Sequence, residues 1–162
     1  MFEELENSTF SIWLSELLWG FPGAEVFHLA MLCSFFGGIV MLDLRLLGIN
    51  RFISSQLLMR HILRCTWWAF AGVILSGGLL FLFMPLEYSN NPAFKIKLCL
   101  MGLGGINAFI MHKFLMNNIE EWDLNTLPPL WVRLSALVSI GIWTGVLACG
   151  RLIAYYYSFG SY

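Results

Sequence analysis

Charged residues are scarce in this 162-residue sequence: 12% are Asp, Glu, Lys or Arg, whereas 59% are hydrophobic. A typical soluble domain carries about 25% charged residues. A soluble helical bundle also needs polar stripes at helical spacing on its outer faces, and the long apolar segments of this chain have none. The scarcity of charge therefore excludes an ordinary soluble domain. The net charge of −1 also argues against nucleic-acid binding.

Motifs of several soluble enzyme classes are missing as well. There is no HExxH metal motif and no CxxC pair, and the glycines between residues 102 and 105 lie in an apolar segment rather than in a phosphate-binding loop. The four cysteines fall one to each apolar segment, so we interpret them as packing residues rather than disulfides. The sequence thus leaves enzymatic activity open and does not favour a stand-alone enzyme.

Four long segments without a formal charge are present instead, at residues 26–42, 65–86, 98–111 and 134–150. A bilayer core about 30 Å thick needs roughly 20 mostly apolar residues in a helix. With their flanks, these segments predict membrane-spanning helices at about 24–47, 62–84, 93–116 and 130–156. The predicted fold class is all-α: a polytopic membrane protein with a four-transmembrane-helix bundle.

A short segment before the first span mixes tryptophan and leucine with serine and glutamate. Residues 8–20 read STFSIWLSELLWG, with apolar residues three and four positions apart. This pattern predicts a short N-terminal helix lying in the membrane interface. We therefore divide the chain into an interfacial segment at 1–20, a transmembrane domain at 21–157 and a C-terminal tail at 158–162.

The basic residues predict the orientation of the bundle. We name the membrane side that holds the N-terminus side A and the opposite side B. Three basic residues fall on side A, namely Lys95, Lys97 and Arg151. Six fall on side B, namely Arg45, Arg51, Arg60, Arg64, Lys113 and Arg133. The positive-inside rule places side B in the cytoplasm, with both termini outside.

Small residues recur at every fourth position in each predicted span. The sets are Ala30, Ser34 and Gly38; Gly72 and Ser76; Gly104 and Ala108; and Gly141, Gly145 and Cys149. Lipid provides no hydrophobic drive between helices, so close packing depends on such residues. The favoured interpretation is a compact monomeric bundle. Self-association, or packing on other membrane subunits through these Gly, Ala and Ser faces, stays open.

Ionisable residues inside membrane spans are costly and often mark functional sites. Counting the helical rise of about 1.5 Å per residue places His28, Lys97 and Arg151 at similar depth from side A. Glu25 precedes His28 by three positions and shares its helix face. We expect a layer in which Glu25 orients the imidazole and the two cations receive an anionic group, such as a haem propionate or a lipid phosphate. A purely structural hydrogen bond is the alternative for His28.

Two further histidines lie near side B, His61 at the start of the second span and His112 at the end of the third. Two histidines at one level on adjacent helices are what bis-imidazole haem ligation requires. A headgroup location is the ordinary alternative for His61. Asn107 is expected to hydrogen-bond between helices or to contact a carbonyl-bearing ligand. We interpret Asp43 and Arg45 as an interfacial charge cluster and topology signal.

Four short motifs and His28 carry a family resemblance: DLRLLG at 43–48, NPAFKIK at 91–97, INAFIMH at 106–112 and GRLIAY at 150–155. Over about residues 20–157 the chain resembles a domain-of-unknown-function family of small four-helix bacterial inner-membrane proteins. The resemblance implies the fold and a multi-pass location in the bacterial inner membrane, but no established activity. His61 lies outside the shared pattern.

Three functions remain open. The favoured one is an accessory or cofactor-binding subunit of a membrane complex that binds haem b or quinone and serves electron transfer. A purely structural subunit without cofactor is the second. A small transporter is the third and is less favoured, because no inverted repeat or pair of broken helices is visible. The candidate cofactor-binding residues are Glu25, His28, His61, Lys97, Asn107, His112 and Arg151, and the three histidines are the candidate iron ligands.

Overall fold

The computed structural model describes residues 11–12, 16–50, 52–118 and 127–159, which contain helices and no strand. Four helices are long and apolar enough to cross a membrane, which confirms the predicted fold class. Residues 8–10 and 13–15 of the predicted interfacial helix at 8–20 lie outside the described residues, so the prediction of that helix stays untested. The helices are α1 (Gly20–Leu46), α2 (Ser55–Phe83), α3 (Pro85–Asn90), α4 (Pro92–Asn118) and α5 (Leu130–Phe159).

Helix α2 begins at Ser55 rather than near residue 62, because a serine cap starts it earlier. The Ser54 hydroxyl accepts a hydrogen bond from the Leu57 amide at 3.2 Å, which satisfies an otherwise unpaired donor at the helix N-terminus. A π-helical turn at Met59–Leu63 follows, and regular α-helix continues over Arg64–Phe83. The polar residues before the apolar run therefore belong to the helix and not to the preceding loop.

The turn between α2 and α4 contains the short helix α3, which begins with Pro85. Proline suits the first position of a helix, where its missing N–H has no intrahelical partner. The Asn91 side chain then accepts a hydrogen bond from the Ala93 amide at 2.9 Å, and α4 begins at Pro92. The third span therefore begins one residue before its predicted start near residue 93.

The four membrane helices pack in an open order. Helix α1 packs on α2 and on α5, and α4 packs on α5. Helices α2 and α4 make no sizeable contact with each other, although they follow one another along the chain. The spatial order is therefore α2, α1, α5, α4, with α1 and α5 as the central pair.

Glycines allow the close approach of these helices. An added Cβ at Gly38 of α1 would collide with the Thr66 side chain of α2, and one at Gly104 of α4 would lie 2.9 Å from Trp143 of α5. Such contacts support the interpretation as a compact bundle. Gly141 differs, because an added Cβ there would have no atom within 4 Å. Its side of α5 faces outward.

Two apolar clusters form the interior. The central cluster contains Phe35, Ala69, Val73, Trp143 and Val146, and a second cluster nearer side B contains Leu46, Met111, Val132 and Ala136. The outer surface is equally apolar, with large exposed side chains such as Leu75, Phe109 and Val26. A surface of this kind suits a lipid environment.

Candidate functional site

A groove lies between α2 and α4 on the described chain, and we name it the lateral groove. Its volume is about 180 Å³, and its floor is formed by α1 and α5. It exists because α2 and α4 do not pack on each other. Lining residues include Phe35 and Asp43 of α1, Ser55 and Phe70 of α2, Asn107 and His112 of α4, and Ser139 and Trp143 of α5.

Aromatic rings form the deep wall of the lateral groove. Phe35 lies edge-to-face with Trp143, with ring centroids 4.7 Å apart, and its centroid lies 5.0 Å from that of Phe70. Each such pair contributes about 0.5–1.5 kcal/mol beyond the area it buries. Rings from three different helices therefore hold the wall in one arrangement.

A buried carboxyl lies at the other end of the lateral groove, contrary to the interpretation of Asp43 and Arg45 as an interfacial charge cluster. Asp43 is 7% exposed and Arg45 is 3% exposed. A side-chain hydrogen bond joins Asp43 to Ser139, whereas Oδ2 of Asp43 has no hydrogen-bond partner. The Arg45 Nε donates to the Ile53 carbonyl at 2.6 Å and so holds the loop after α1. That interpretation was wrong for both residues.

Helical spacing is the signal that would have located Asp43. It follows Phe35 and Ile39 at intervals of four and precedes Leu46 by three, so it shares the buried face of α1 with them. Its charge and its place near the end of α1 favour an interfacial position instead. The face of the helix, rather than distance from its end, determines burial here.

Asn107 joins α4 to α5, as the sequence predicted. The Ser135 hydroxyl donates to Oδ1 of Asn107 at 2.7 Å, and Nδ2 of Asn107 donates to the Ser135 carbonyl at 3.3 Å. Both polar ends of the amide are therefore engaged within the bundle. Asn107 shapes the α4 wall of the lateral groove by fixing α4 on α5.

The two histidines near side B have different surroundings. His112 is exposed at the border of the lateral groove and is one of its lining residues. His61 is exposed on the π-helical turn of α2 and does not line the groove. The groove therefore offers one imidazole, at its edge, rather than a facing pair.

His28 lies closer to side A, on α1, and its ring is held by α2. The Ser76 hydroxyl donates its single proton to the Gly72 carbonyl at 2.6 Å, so its oxygen accepts from Nδ1 of His28 at 2.8 Å. With Nδ1 protonated, Nε2 of the neutral imidazole carries the free lone pair. This tautomer leaves Nε2 available as an acceptor or a metal ligand.

Lys97 lies in the same layer as His28. An added Cβ at Gly150 would lie 3.6 Å from Nζ of Lys97, which places the ammonium against α5. The charge of Lys97 also acts electrostatically on the His28 imidazole. The structure therefore places Lys97 against α5 and within electrostatic range of His28, which is itself hydrogen-bonded to α2.

Glu25 and Arg151 lie outside this pairing. Glu25 is exposed, and the Nδ1 position that it was expected to orient is bonded to Ser76 instead. Arg151 is exposed, and its guanidinium carbon lies 5.0 Å from the centre of the Tyr155 ring, a cation–π arrangement. Sequence analysis treated Ser76 as a small packing residue. A serine inside an apolar helix also carries a hydrogen-bonding group, and that was the missed signal.

The described residues contain no group of three His, Cys, Asp or Glu side chains that could hold a metal ion. The four cysteines are free thiols, but only Cys149 is buried, and the interpretation as packing residues is wrong for the exposed Cys33, Cys65 and Cys99. A metal-ion cage is therefore not a feature of the described part of the chain. The polar chemistry is concentrated in the lateral groove and in the layer with His28 and Lys97.

Comparison with known proteins gives one match. No curated protein and no solved structure matches the chain. A family described as "Family of unknown function (DUF6644)" matches residues 18–156, a region that contains the lateral groove, His28 and Lys97. The inferred resemblance to a domain-of-unknown-function family is thereby confirmed. Because the match covers most of the chain, the protein belongs to this family of unknown function.

Proposed function

We propose that the protein binds an isoprenoid quinone in the lateral groove, as an accessory or cofactor-binding subunit of a bacterial inner-membrane complex. The observation that carries this proposal is the groove itself: an apolar, lipid-bordered space of about 180 Å³ with a buried carboxyl at one end. Ligand sites are typically apolar spaces with a few placed polar groups. The groove has this composition.

The size of the lateral groove favours a single-ring ligand. A protein cavity of about 150 Å³ is sufficient to bind a benzene molecule. The 180 Å³ of the groove therefore accept one substituted ring, and the gap between α2 and α4 lets an isoprenoid tail leave toward lipid. Phe35, Phe70 and Trp143 provide the apolar and aromatic wall against which such a ring packs.

Haem b is the second candidate, and one observation favours it: the His28 tautomer leaves Nε2 free, as an axial ligand requires. A porphyrin is four pyrrole rings wide and exceeds the space of the lateral groove. His112 at the groove and His61 outside it do not form a facing pair along its walls. The geometry therefore favours quinone in the groove.

We also propose that side B faces the cytoplasm and that both termini lie outside. The support is the excess of basic residues on side B in the sequence. In this orientation Asp43 and Arg45, near the end of α1, place the polar end of the lateral groove toward the cytoplasmic side. The alternative is a purely structural subunit, and the binding experiments distinguish it from a quinone-binding subunit.

Two glycines of α4 allow a matched test of quinone binding. Gly105 lines the lateral groove and Gly102 does not, and an added Cβ at either has no atom within 4 Å. Gly105→Trp fills the groove and so competes with the ligand for space. It should weaken binding of a short-chain ubiquinone by about tenfold or more, which is a loss of about 1.4 kcal/mol or more in binding free energy. Gly102→Trp should bind like the unmodified protein. Equal binding by both variants, or no quinone binding by the unmodified protein, contradicts the proposal.

An absorption spectrum tests the haem candidate. Protein expressed with ample haem and purified in detergent is recorded oxidised and after dithionite reduction. A Soret band and a reduced α-band that disappear in His28→Ala and persist in His61→Ala would establish haem at His28. The quinone proposal expects no such bands in protein that retains quinone.

A further inference from the structure

Two side chains that line the lateral groove, Asp43 and Ser55, each contain a buried polar atom with no hydrogen-bond partner in the described chain. One is Oδ2 of Asp43, whose side chain is 7% exposed, and the other is Oγ of Ser55, which is 1% exposed. A buried polar atom without a partner is destabilising, and native proteins rarely leave one unexplained. The first atom accepts hydrogen bonds and the second can donate one. Together they describe the polar end of a ligand.

We infer that the lateral groove selects the reduced, hydroxyl-bearing form of its ligand, a quinol, and that Asp43 accepts a hydrogen bond from the quinol hydroxyl. This inference rests on the proposed quinone-binding function. It names the redox form that the site prefers and the residue that distinguishes it.

The preference follows from which atoms carry protons. A quinone has two carbonyl oxygens and only accepts hydrogen bonds, so it leaves Oδ2 of the ionised Asp43 carboxylate unsatisfied and places two acceptors against each other. A quinol hydroxyl donates to that atom, and hydrogen bonds to charged or strongly polar groups are the stronger ones. The donors at this end of the groove, Ser55 and Arg45, do not discriminate, because the oxygens of both forms accept hydrogen bonds.

Ser139 holds the Asp43 carboxyl in one orientation. Its side chain is buried and hydrogen-bonds to the Asp43 carboxyl from α5. The Asp43 carboxyl therefore has one engaged side and one free oxygen, rather than a freely rotating group. The free oxygen is the one that a ligand can use.

The depth of Asp43 suits a quinol head near the membrane surface. Asp43 lies three residues before Leu46, where α1 ends, so it is about 5 Å from the side-B end of that helix. Phe35, at the aromatic wall, lies about 12 Å deeper along α1. A quinol with its hydroxyl at Asp43 thus has its ring and first isoprenoid unit along the apolar part of the groove.

The test measures the affinities of a short-chain ubiquinol and of the matching ubiquinone for the full-length protein in detergent. The unmodified protein should bind the quinol about tenfold more tightly, which corresponds to about 30 mV in the midpoint potential of a bound two-electron couple. Asp43→Asn should bring this ratio to about one or below, because the Asn amide can donate to a quinone carbonyl. Ser55→Ala should weaken both forms alike and keep the ratio.

The outcomes separate this inference from the function on which it rests. Absence of binding of either form contradicts quinone binding itself. Equal binding of both forms by the unmodified protein overturns the preference for quinol and leaves quinone binding standing. A ratio unchanged by Asp43→Asn overturns the role of Asp43. If that variant does not fold, the ratio measured for the unmodified protein alone decides the preference.

Discussion

Ser139 of α5 hydrogen-bonds to the carboxyl of Asp43 on α1, and each side chain is 7% exposed. The two helices joined by this hydrogen bond, α1 and α5, form the floor of the lateral groove. Ionisable groups buried in a membrane bundle are costly and are retained mainly where they serve a purpose. This pair therefore marks the polar end of the site and also ties together the central pair of helices.

Adjacent glycines on α1 provide a test of the packing. Gly38 lies against Thr66 of α2, whereas an added Cβ at Gly37 meets no atom within 4 Å. Gly38→Leu should lower the free energy of unfolding by about 1–3 kcal/mol, the usual cost of overpacking. Gly37→Leu should leave it nearly unchanged. Thermal unfolding in detergent measures both, and equal stability of the two variants would show that α1 and α2 do not approach at Gly38.

The Asn107–Ser135 pair should contribute measurably to the packing of α4 on α5. Its two hydrogen bonds, at 2.7 and 3.3 Å, join the two side chains and the Ser135 carbonyl. A double-mutant cycle with Asn107→Ala and Ser135→Ala should give a coupling energy of about 0.6 kcal/mol and at most about 1.7 kcal/mol, the range found between membrane helices. Chemical or thermal unfolding of the four proteins provides the energies. A coupling energy of zero would show that these hydrogen bonds do not stabilise the packing of α4 on α5.

The third prediction concerns which ring nitrogen of the neutral His28 imidazole carries the proton. Because the Ser76 proton is donated to the Gly72 carbonyl, Nδ1 of His28 should carry the ring proton and Nε2 should not. Nitrogen-15 NMR of the imidazole at neutral pH distinguishes the two nitrogens. Ser76→Ala should change the signals of His28 and leave those of His112 unchanged. A protonated Nε2 in the neutral ring would contradict this hydrogen-bond arrangement.

The sequence was sufficient for the fold because the bilayer imposes a simple rule on helix length and apolarity. It also indicated the start of α4 to within one residue and the bond of Asn107 to a neighbouring helix. It missed the start of α2, because the Ser54 cap acts through one local hydrogen bond within a polar stretch. Local capping is visible only once the backbone geometry is known.

The site was harder to predict because it depends on which helices touch. Sequence order suggests that the second and third spans are neighbours, but α2 and α4 do not pack on each other, and this opens the lateral groove. Depth counting did bring His28 and Lys97 into one layer, since depth along a helix is a property of the sequence. It did not show that Asp43 faces inward, which depends on the rotation of α1 against α5.

The proposed topology makes a prediction for reporter fusions. Alkaline phosphatase, which is active only outside the cytoplasm, should be active when fused after residue 162 and inactive when fused in the loop near residue 51. A green fluorescent reporter, which needs the cytoplasm, should show the opposite pattern. The reverse result at both positions would place side B outside and overturn the assignment from basic residues.

Photolabelling tests the central claim most directly, since it reports where a quinone lies. The full-length protein is illuminated with a short-chain azidoquinone, with and without excess unlabelled quinone, and the adducts are located by mass spectrometry. Binding in the lateral groove predicts competed adducts at its lining residues, such as Phe70 of α2 and Met111 of α4. Adducts that are not competed, or that lie mainly on the outer surface around Leu75 and Val26, would contradict it.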